Sequence, residues 1–357
     1  MTHVRKTVLI AMSGGIDSSV AALLLQKDGY SVEGLFISFF NSSWVDPLVI
    51  EQQQRAMKHV ESLCSYLHIP FHHIDVSRAF YDIVISYFVS EYASGKTPFP
   101  CAICNPQLKW KTLCEMAENL NISHIATGHY NGIETKNNVQ YITQGVDSLK
   151  DQSFFLWGLP QSILVKTIFP LAHYTKKEVY KIAQQCNITS ADTKESTGIC
   201  FLPDKNYRPF IVNELSKRNT TIPNGKFIDI HGAFLGHNDG YIHYTVGQRK
   251  HLGVNFNKRM FVHALNSTKN TVTLSDYSSL YKKEFYVHNF YFHTSQDIHK
   301  KLIVKIRYRE QAHECTIEKI DTKKIRIILA KPLNSIAPGQ TAVFYDNRRV
   351  VGGGFIV

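Results

Sequence analysis

The chain has 357 residues, enough for two or three domains, and its 44% hydrophobic, 19% charged composition describes a globular protein and excludes a disordered one. No apolar run approaches the roughly 20 residues of a membrane-spanning helix, so no membrane association is expected. The net charge of +11 is concentrated: residues 281–357 hold 14 Lys and Arg against 7 Asp and Glu, which directs attention to a polyanionic partner such as nucleic acid.

Taken in chain order, the first 200 residues alternate apolar strands with amphipathic helices. The basic start, Met-Thr-His-Val-Arg-Lys, precedes an apolar stretch of only Thr7 to Met12, shorter than the usual ~7–15 residues of a signal peptide. It reads as a strand rather than an address, and the expected location is cytoplasmic. A helix over Ser18–Asp28 closes at Gly29, followed by a strand at Ser31–Phe40 and a helix near Gln52–Leu67. Phe71–Val76 is a strand, Ala79–Ala93 a helix stopped by Gly95, Gln107–Leu120 a helix, and Ser123–Thr127 a strand ending in Gly128-His129-Tyr130. Such alternation predicts a parallel sheet with helices on both faces and ligands at the carboxyl ends of its strands. Beyond about residue 205 helical periodicity fades. Short strands with Gly, Asn and Asp turns follow at Lys226–Ile230, Gly236–Tyr241 and Met260–Leu265. The runs Glu284–Phe292, Leu302–Arg309, Glu314–Ile320 and Lys324–Leu329 predict a small β-barrel. In Leu302–Arg309, alternation sets Lys305, Arg307 and Arg309 on one face as a basic ridge.

The stretch Ala11-Met12-Ser13-Gly14-Gly15-Ile16-Asp17-Ser18-Ser19 carries the first chemistry. Small residues between a strand and a helix leave backbone N–H groups open to an anion, and the helix dipole adds partial positive charge. The phosphate loop of kinases and GTPases, Gly-x-x-x-x-Gly-Lys-Ser/Thr, is absent. Ser-Gly-Gly-x-Asp-Ser resembles instead the pyrophosphate loop of enzymes that split ATP into AMP and pyrophosphate to adenylate an oxygen.

Seven cysteines, an odd number, argue against a disulfide scaffold. Cys104 lies in a loop rigidified by Pro98 and Pro100, and Asn105-Pro106 is expected to cap the following helix. Near that helix N-terminus the dipole would lower the Cys104 pKa. Cys200 follows Gly198 in a polar loop with Lys194 nearby. Cys114 and Cys186 read as inert thiols on apolar faces. The pair His72-His73 sits on a predicted strand and reads as structural, whereas His129 follows a sheet strand into the crevice.

Together these segments resemble the tRNA-specific 2-thiouridylases, which exchange the 2-oxygen of the wobble uridine for sulfur. The resemblance rests on Ser13–Ser19, Gly34-Leu35-Phe36, Thr97-Pro98-x-Pro100 running into Cys104-Asn105, Ile125–Tyr130, Lys150–Phe155 and Ser196–Phe201. In the β region it includes Tyr244–Lys250, Arg307-Tyr308-Arg309, Ala337–Gln340 and Gly352–Gly354. It implies an adenine nucleotide α-hydrolase-like (Rossmann-like) parallel-sheet domain over residues 1–205, a β-rich central domain over 206–279, and a tRNA-binding barrel over 280–357. It further implies ATP on residues 11–18 with Ile37 and Gly128 near adenine or ribose, Asp17 towards Mg2+, and a Cys200 persulfide as the incoming sulfur. Cys104 would be the nucleophile that releases that sulfur, leaving a Cys104–Cys200 disulfide. Phe99, Pro100, Cys101, His129, Lys150, Asp151, Gln152, Arg307, Tyr308 and Gln340 match tRNA-contacting positions. A sulfur-carrier protein or cysteine desulfurase is the expected donor.

The chain departs from the family at one place. Where Asn-Pro-Asp normally precedes the first cysteine, Phe99, Pro100 and Cys101 stand, so the suspected acid/base Asp is missing. Cys101 is then a spare or resolving thiol, a substitute acid/base, or the third ligand with Cys104 and Cys200 of an iron–sulfur site. Zinc lacks a fourth ligand. The rival functions are a small-molecule adenylating ligase on the same loop and a non-catalytic RNA-binding protein.

Overall fold

A computed structural model describes residues 6–41, 43–191, 198–204, 206–253 and 258–357. The chain divides into two compact units, Met1–Val84 with Cys101–Lys205 and Arg348–Val350, and Ile85–Pro100 with Asn206–Asn347 and Val351–Val357.

In the first unit the strands run β1 (Thr7–Ala11), β2 (Ser31–Ser38), β3 (Phe71–Asp75), β4 (His124–Thr127), β5 (Asn131–Lys136), β6 (Val139–Gln144) and β7 (Thr167–Ile168). A parallel sheet forms in the order β3-β2-β1-β4-β7, and β5 and β6 make an antiparallel hairpin. Val8, Leu9 and Ile10 of β1 are fully buried, as expected of a central parallel strand covered on both faces. The helix Ile16–Lys27 packs Val20, Ala21 and Leu25 onto this sheet, and Pro47–Leu67 adds Val60 and Leu63 to the same core. Asp46 caps the second helix by accepting the Leu48 N–H at 2.9 Å, with Pro47 at its first position. It therefore starts five residues before its sequence-expected beginning. Because β2 and β4 flank β1 on opposite sides, the chain order reverses there, and the carboxyl ends of β1 and β4 form the crevice where such folds bind ligands.

The second unit holds a four-stranded sheet of β8 (Gly225–Ile228), β9 (Phe234–Asn238), β10 (Phe261–Asn266) and β11 (Thr271–Ser275) in the order β10-β11-β8-β9. The strands β12 (Lys282–Phe292), β13 (Leu302–Lys305), β14 (His313–Lys319), β15 (Lys324–Leu333), β16 (Thr341–Asp346) and β17 (Arg349–Ile356) follow. They pair in the order β12-β15-β14-β13-β16-β17, and β12 also pairs with β17, closing a six-stranded barrel. Two sequence expectations need correction here. A helix, Tyr207–Lys217, stands where helical periodicity was expected to fade; Asn206 caps it by accepting the Arg208 N–H at 3.3 Å. The strand predicted over Leu302–Arg309 ends at Lys305. Leu302, Val304 and Ile306 face the core as alternation requires, with Arg307 and Arg309 exposed beyond the strand.

Candidate active site

The turn after β1 is held by its own serines. Ser18 Oγ accepts the Ser13 N–H at 3.2 Å and donates to Gly15 O at 3.1 Å; Ser19 Oγ donates to Gly15 O at 3.0 Å. Gly15 stands at the N-cap and provides no side-chain cap, so the first N–H groups of the helix lack an internal acceptor and suit an anion. Gly14 adopts φ +80°, which favours glycine, and a Cβ there would meet Ala56 at 3.1 Å. Gly128, at the end of β4, presses on the same turn: a Cβ would meet Ser18 N at 2.7 Å and Asp17 C at 2.9 Å. Ala11 is half-buried, Met12 buried and Ser13 exposed. Ile37 is buried in β2, and at the carboxyl ends of β2 and β3 a cavity of about 260 Å³ is lined by Ser38, Phe40, Gln53, Met57, His73 and Asp75. The adjacent histidines are structurally bonded: His72 Nε2 pairs with Glu33 at 2.7 Å and His73 Nε2 with Ser38 Oγ at 2.8 Å.

Asp17 does not stand open. Lys176 Nζ donates to both its oxygens at 2.7 Å, and the Tyr130 hydroxyl donates to Oδ1 at 2.6 Å. Lys176 also lies 4.8 Å from the Tyr180 ring centroid. Sequence reasoning missed Lys176 as a site residue, since 159 positions separate it from Asp17. Only the capping box Thr175-x-x-Glu178, which places it in a helix's first turn, is legible locally.

A second group of side chains gathers around the cysteines. Cys101–Cys104, Asn105–Lys109 and Trp110–Asn119 form one continuous helical run, so the helix starts at Cys101 and not after Asn105-Pro106. Asn105 does not cap it; its Nδ2 donates to Phe155 O at 2.8 Å. Pro106 has no N–H to give, and the helix widens around it: Trp110 N–H reaches Asn105 O, five residues back. Cys200 is positioned from the other side by Phe201, 1% exposed, which meets Phe80 edge-on at 5.9 Å between ring centroids. Such an aromatic contact adds about 0.5–1.5 kcal/mol beyond area burial. Ser196, Thr197 and Lys194, part of the Cys200 segment in the sequence, lie outside the described residues.

Electrostatics there run against the sequence expectation for Cys104. Burial pushes its thiol up to about 12, with the neighbouring Cys101 adding to the rise and Lys109 opposing it. Burial takes Cys101 to about 11, again opposed by Lys109. Desolvation outweighs the helix dipole because a thiolate here loses water on most sides. Cys200 is exposed to solvent, and the packing around it together with both other thiols raises its pKa. Lys109 is lowered by burial and drawn back up by Cys104, Cys200 and Cys101. His129 is held well below its ordinary value by burial and by Lys109, so it is a neutral ring. Its Nδ1 bonds Thr127 Oγ1 at 2.8 Å, and it packs 5.0 Å from Trp110. All three cysteines are free thiols. Cys64 and Cys315 are the buried inert thiols, whereas Cys114 and Cys186 are only half-buried. The end of β4 joins the two groups: Gly128 touches the phosphate turn, and His129 touches the thiol helix.

Of the expected tRNA positions in this unit, Lys150 is half-buried, and Asp151 is buried, accepting from Asn131 Nδ2, Gln144 Nε2, Ser153 N and Ser153 Oγ at 3.0–3.3 Å. Gln152 Oε1 accepts the Tyr130 N–H at 3.2 Å. In the other unit Phe99 is half-buried and Pro100 buried. Gln340 Nε2 donates to Thr97 O at 2.8 Å, and Thr97 N–H donates to Pro338 O at 2.8 Å, fixing the segment that leads to Cys101. Arg307 Nη2 donates to Ser335 O at 2.7 Å, and Arg309 lies 5.8 Å from the Tyr308 ring.

A parallel sheet with a glycine-serine phosphate turn at its switch point, a cluster of thiols in the same unit and a closed β-barrel define a nucleotide-binding α/β protein with β domains appended. Three family models match the chain in succession: "tRNA methyl transferase HUP domain" over 6–204, "tRNA methyl transferase PRC-barrel domain" over 210–276 and "Aminomethyltransferase beta-barrel domain" over 282–356. The tRNA-specific 2-thiouridylase MnmA 2 of Phocaeicola vulgatus is 41% identical, over 100% of this chain and 99% of that protein. That of Thermoanaerobacter pseudethanolicus is 37% identical over 99% and 98%, and the MnmA of Amoebophilus asiaticus 37% over 98% and 94%. The chain belongs to the tRNA-specific 2-thiouridylase family. Among the described residues no helix is long and apolar enough to cross a membrane.

Proposed function

We propose that this protein is an ATP-dependent tRNA-uridine 2-sulfurtransferase, with ATP at residues 11–18. The observation that carries the reading is the convergence of Cys101, Cys104 and Cys200 in the unit that holds the phosphate turn, joined to it by Gly128 and His129. In this reading O2 of the wobble uridine attacks the α-phosphorus of ATP and pyrophosphate leaves. The terminal sulfur of a Cys200 persulfide, delivered by a sulfur-carrier protein or a cysteine desulfurase, then attacks C2, and AMP departs with the former uridine oxygen. The Cys104 thiolate attacks the Cys200 sulfur, freeing the 2-thiouridine and leaving a Cys104–Cys200 disulfide for an external thiol to reduce. Adenylation makes a leaving group of an otherwise inert carbonyl oxygen, and a persulfide is a strong soft nucleophile.

The exposed Arg307 and Arg309 suit tRNA phosphates, which position the RNA without reading it. The base itself would be taken from an unpaired anticodon loop. We retain residues 1–205 as the catalytic domain, 206–279 as the central domain and 280–357 as the tRNA-binding barrel, a division the spans of the family models support. Among the described residues no group of three or more His, Cys, Asp or Glu side chains is placed to hold a metal. Asp17 is engaged by Lys176 and Tyr130. No step is derived through an iron–sulfur cluster or a magnesium ion.

The test is unmodified tRNA incubated anaerobically with the protein, ATP, magnesium and a persulfide donor, a cysteine desulfurase with cysteine, then digested for nucleoside mass spectrometry. ATP-dependent thiolated uridine is expected. Pyrophosphate release triggered by amino acids or nucleotides, with no thiolated nucleoside, would replace this reading with the small-molecule ligase.

A further inference from the structure

Among the described residues, Lys109 is the cation placed beside the three thiols. On a regular helix, at about 100° per residue, Cys104 lies about 60° to one side of Cys101 and Lys109 about 80° to the other. Lys109 would then point some 140° away from Cys104. The wide turn around Pro106, marked by the Trp110 N–H to Asn105 O bond, inserts one residue and rotates everything beyond it back by about 100°. Lys109 thereby comes to lie between the two cysteines on their own face.

Three further observations agree. The charges that act on Lys109 are the thiols of Cys104, Cys200 and Cys101. Its ammonium sits 5.5 Å from the Trp110 ring, itself 5.0 Å from His129. Among the described residues no carboxylate forms an ion pair with it, and the remaining titratable neighbour, His129, is neutral. Among the described residues one cation thus faces the three thiols. We propose that Lys109 is the counter-cation of this thiol cluster, so that a single thiolate or persulfide anion forms there at a time while the other two thiols stay protonated. Among the described residues a second thiolate would have no positive partner, and it would be repelled by the first. Lys109 acts through sulfur, as a positioning residue, and the wide helical turn is the device that aims it. The inference deepens the sulfur-transfer reading and rests on it for its purpose, but its test reads thiols and needs no tRNA.

The experiment follows alkylation of each cysteine by iodoacetamide between pH 7 and 10 with peptide mass spectrometry, in the unmutated protein, Lys109→Met and Lys109→Arg. In Lys109→Met the first alkylation among Cys101, Cys104 and Cys200 should slow by about tenfold or more at pH 8, its profile moving up by about one pH unit. Lys109→Arg should restore it, and Cys114 and Cys186 should not change. An unaltered profile in a folded Lys109→Met protein would overturn the proposal. Thiolate absorbance of the unmutated protein, measured against a variant with the three clustered cysteines changed to Ser, decides the matter where Lys109→Met does not fold. One ionisation well separated from two later ones is expected; three ionising together would overturn it. Lysine-dependent ionisation without tRNA thiolation would retire the sulfurtransferase reading and leave this assignment standing.

Discussion

Gly128→Ala adds a single methyl group at the tightest contact of the phosphate turn. The new Cβ would sit 2.7 Å from Ser18 N, 2.8 Å from Ser18 Cα and 2.9 Å from Asp17 C. Ordinary contact begins near 3.4 Å, so something must yield by about 0.5–0.7 Å, and every atom in the way is backbone. β4 cannot retreat cheaply, because Ile125 and Ala126 are fully buried and paired with β1. The helix start moves instead, carrying the amides that would hold phosphate. Forced overpacking costs about 1–3 kcal/mol, and misplacing a binding group by this distance costs about 10–100-fold in turnover. Calorimetric ATP binding and pyrophosphate release should each weaken by about that factor, with the thermal midpoint lowered by a few degrees. ATP affinity within twofold of the unmutated protein, with or without a lower midpoint, would refute the claim that Gly128 sets the phosphate turn.

Cys200→Ser and Cys104→Ser should each abolish thiolated uridine while leaving tRNA-stimulated pyrophosphate release within a few-fold, checked by running both assays on one sample. Lys176→Met removes the only lysine bonded to Asp17 among the described residues, and ATP binding should weaken by about tenfold, read by calorimetry. Asp151→Ala leaves four donor contacts without their acceptor inside a buried site. It should cost about 3 kcal/mol of stability and lower the thermal midpoint by several degrees, so lost activity would track unfolding rather than weakened tRNA binding. Stability should also fall as pH rises. The folded thiols of Cys101 and Cys104 stay protonated to about 11 and about 12, while unfolded thiols ionise near 8.5. Their contribution is intact below pH 8.5 and is lost towards pH 11–12; Cys101→Ala should soften that alkaline loss in denaturant titrations.

The alternation of apolar strands and helices in the first 200 residues was enough to read the parallel sheet, because a strand buried on both faces has to be apolar throughout. Ser13–Ser18 and Gly128 were legible as one crevice for the same reason: both follow strands of that sheet. The barrel was read in part, since β13 and β15 alternate over most of their length, whereas β16 is buried at five successive positions and β17 is interrupted by Gly352-Gly-Gly354. Other features were illegible because distant contacts decide them. Asn105-Pro106 looks like a helix start in isolation, but Asn105 is committed to Phe155, fifty residues on, and the helix runs through the proline. A dipole-activated Cys104 followed from local sequence alone, and burial reversed it. Lys109 carried the one local hint, a cation set between Leu108 and Trp110, both buried. Phe201 anchoring on Phe80 left no local signal at all.

The central claim is that ATP activates uridine O2 so that sulfur replaces it. Substrate tRNA carrying 18O at C2 of the wobble uridine tests it directly, with mass spectrometry of both the nucleoside and the AMP after one turnover. The account predicts a 2-thiouridine that has lost the label and an AMP that has gained it, in equal amounts. Thiolated uridine with unlabelled AMP, or labelled uridine left intact while ATP is consumed, would contradict it.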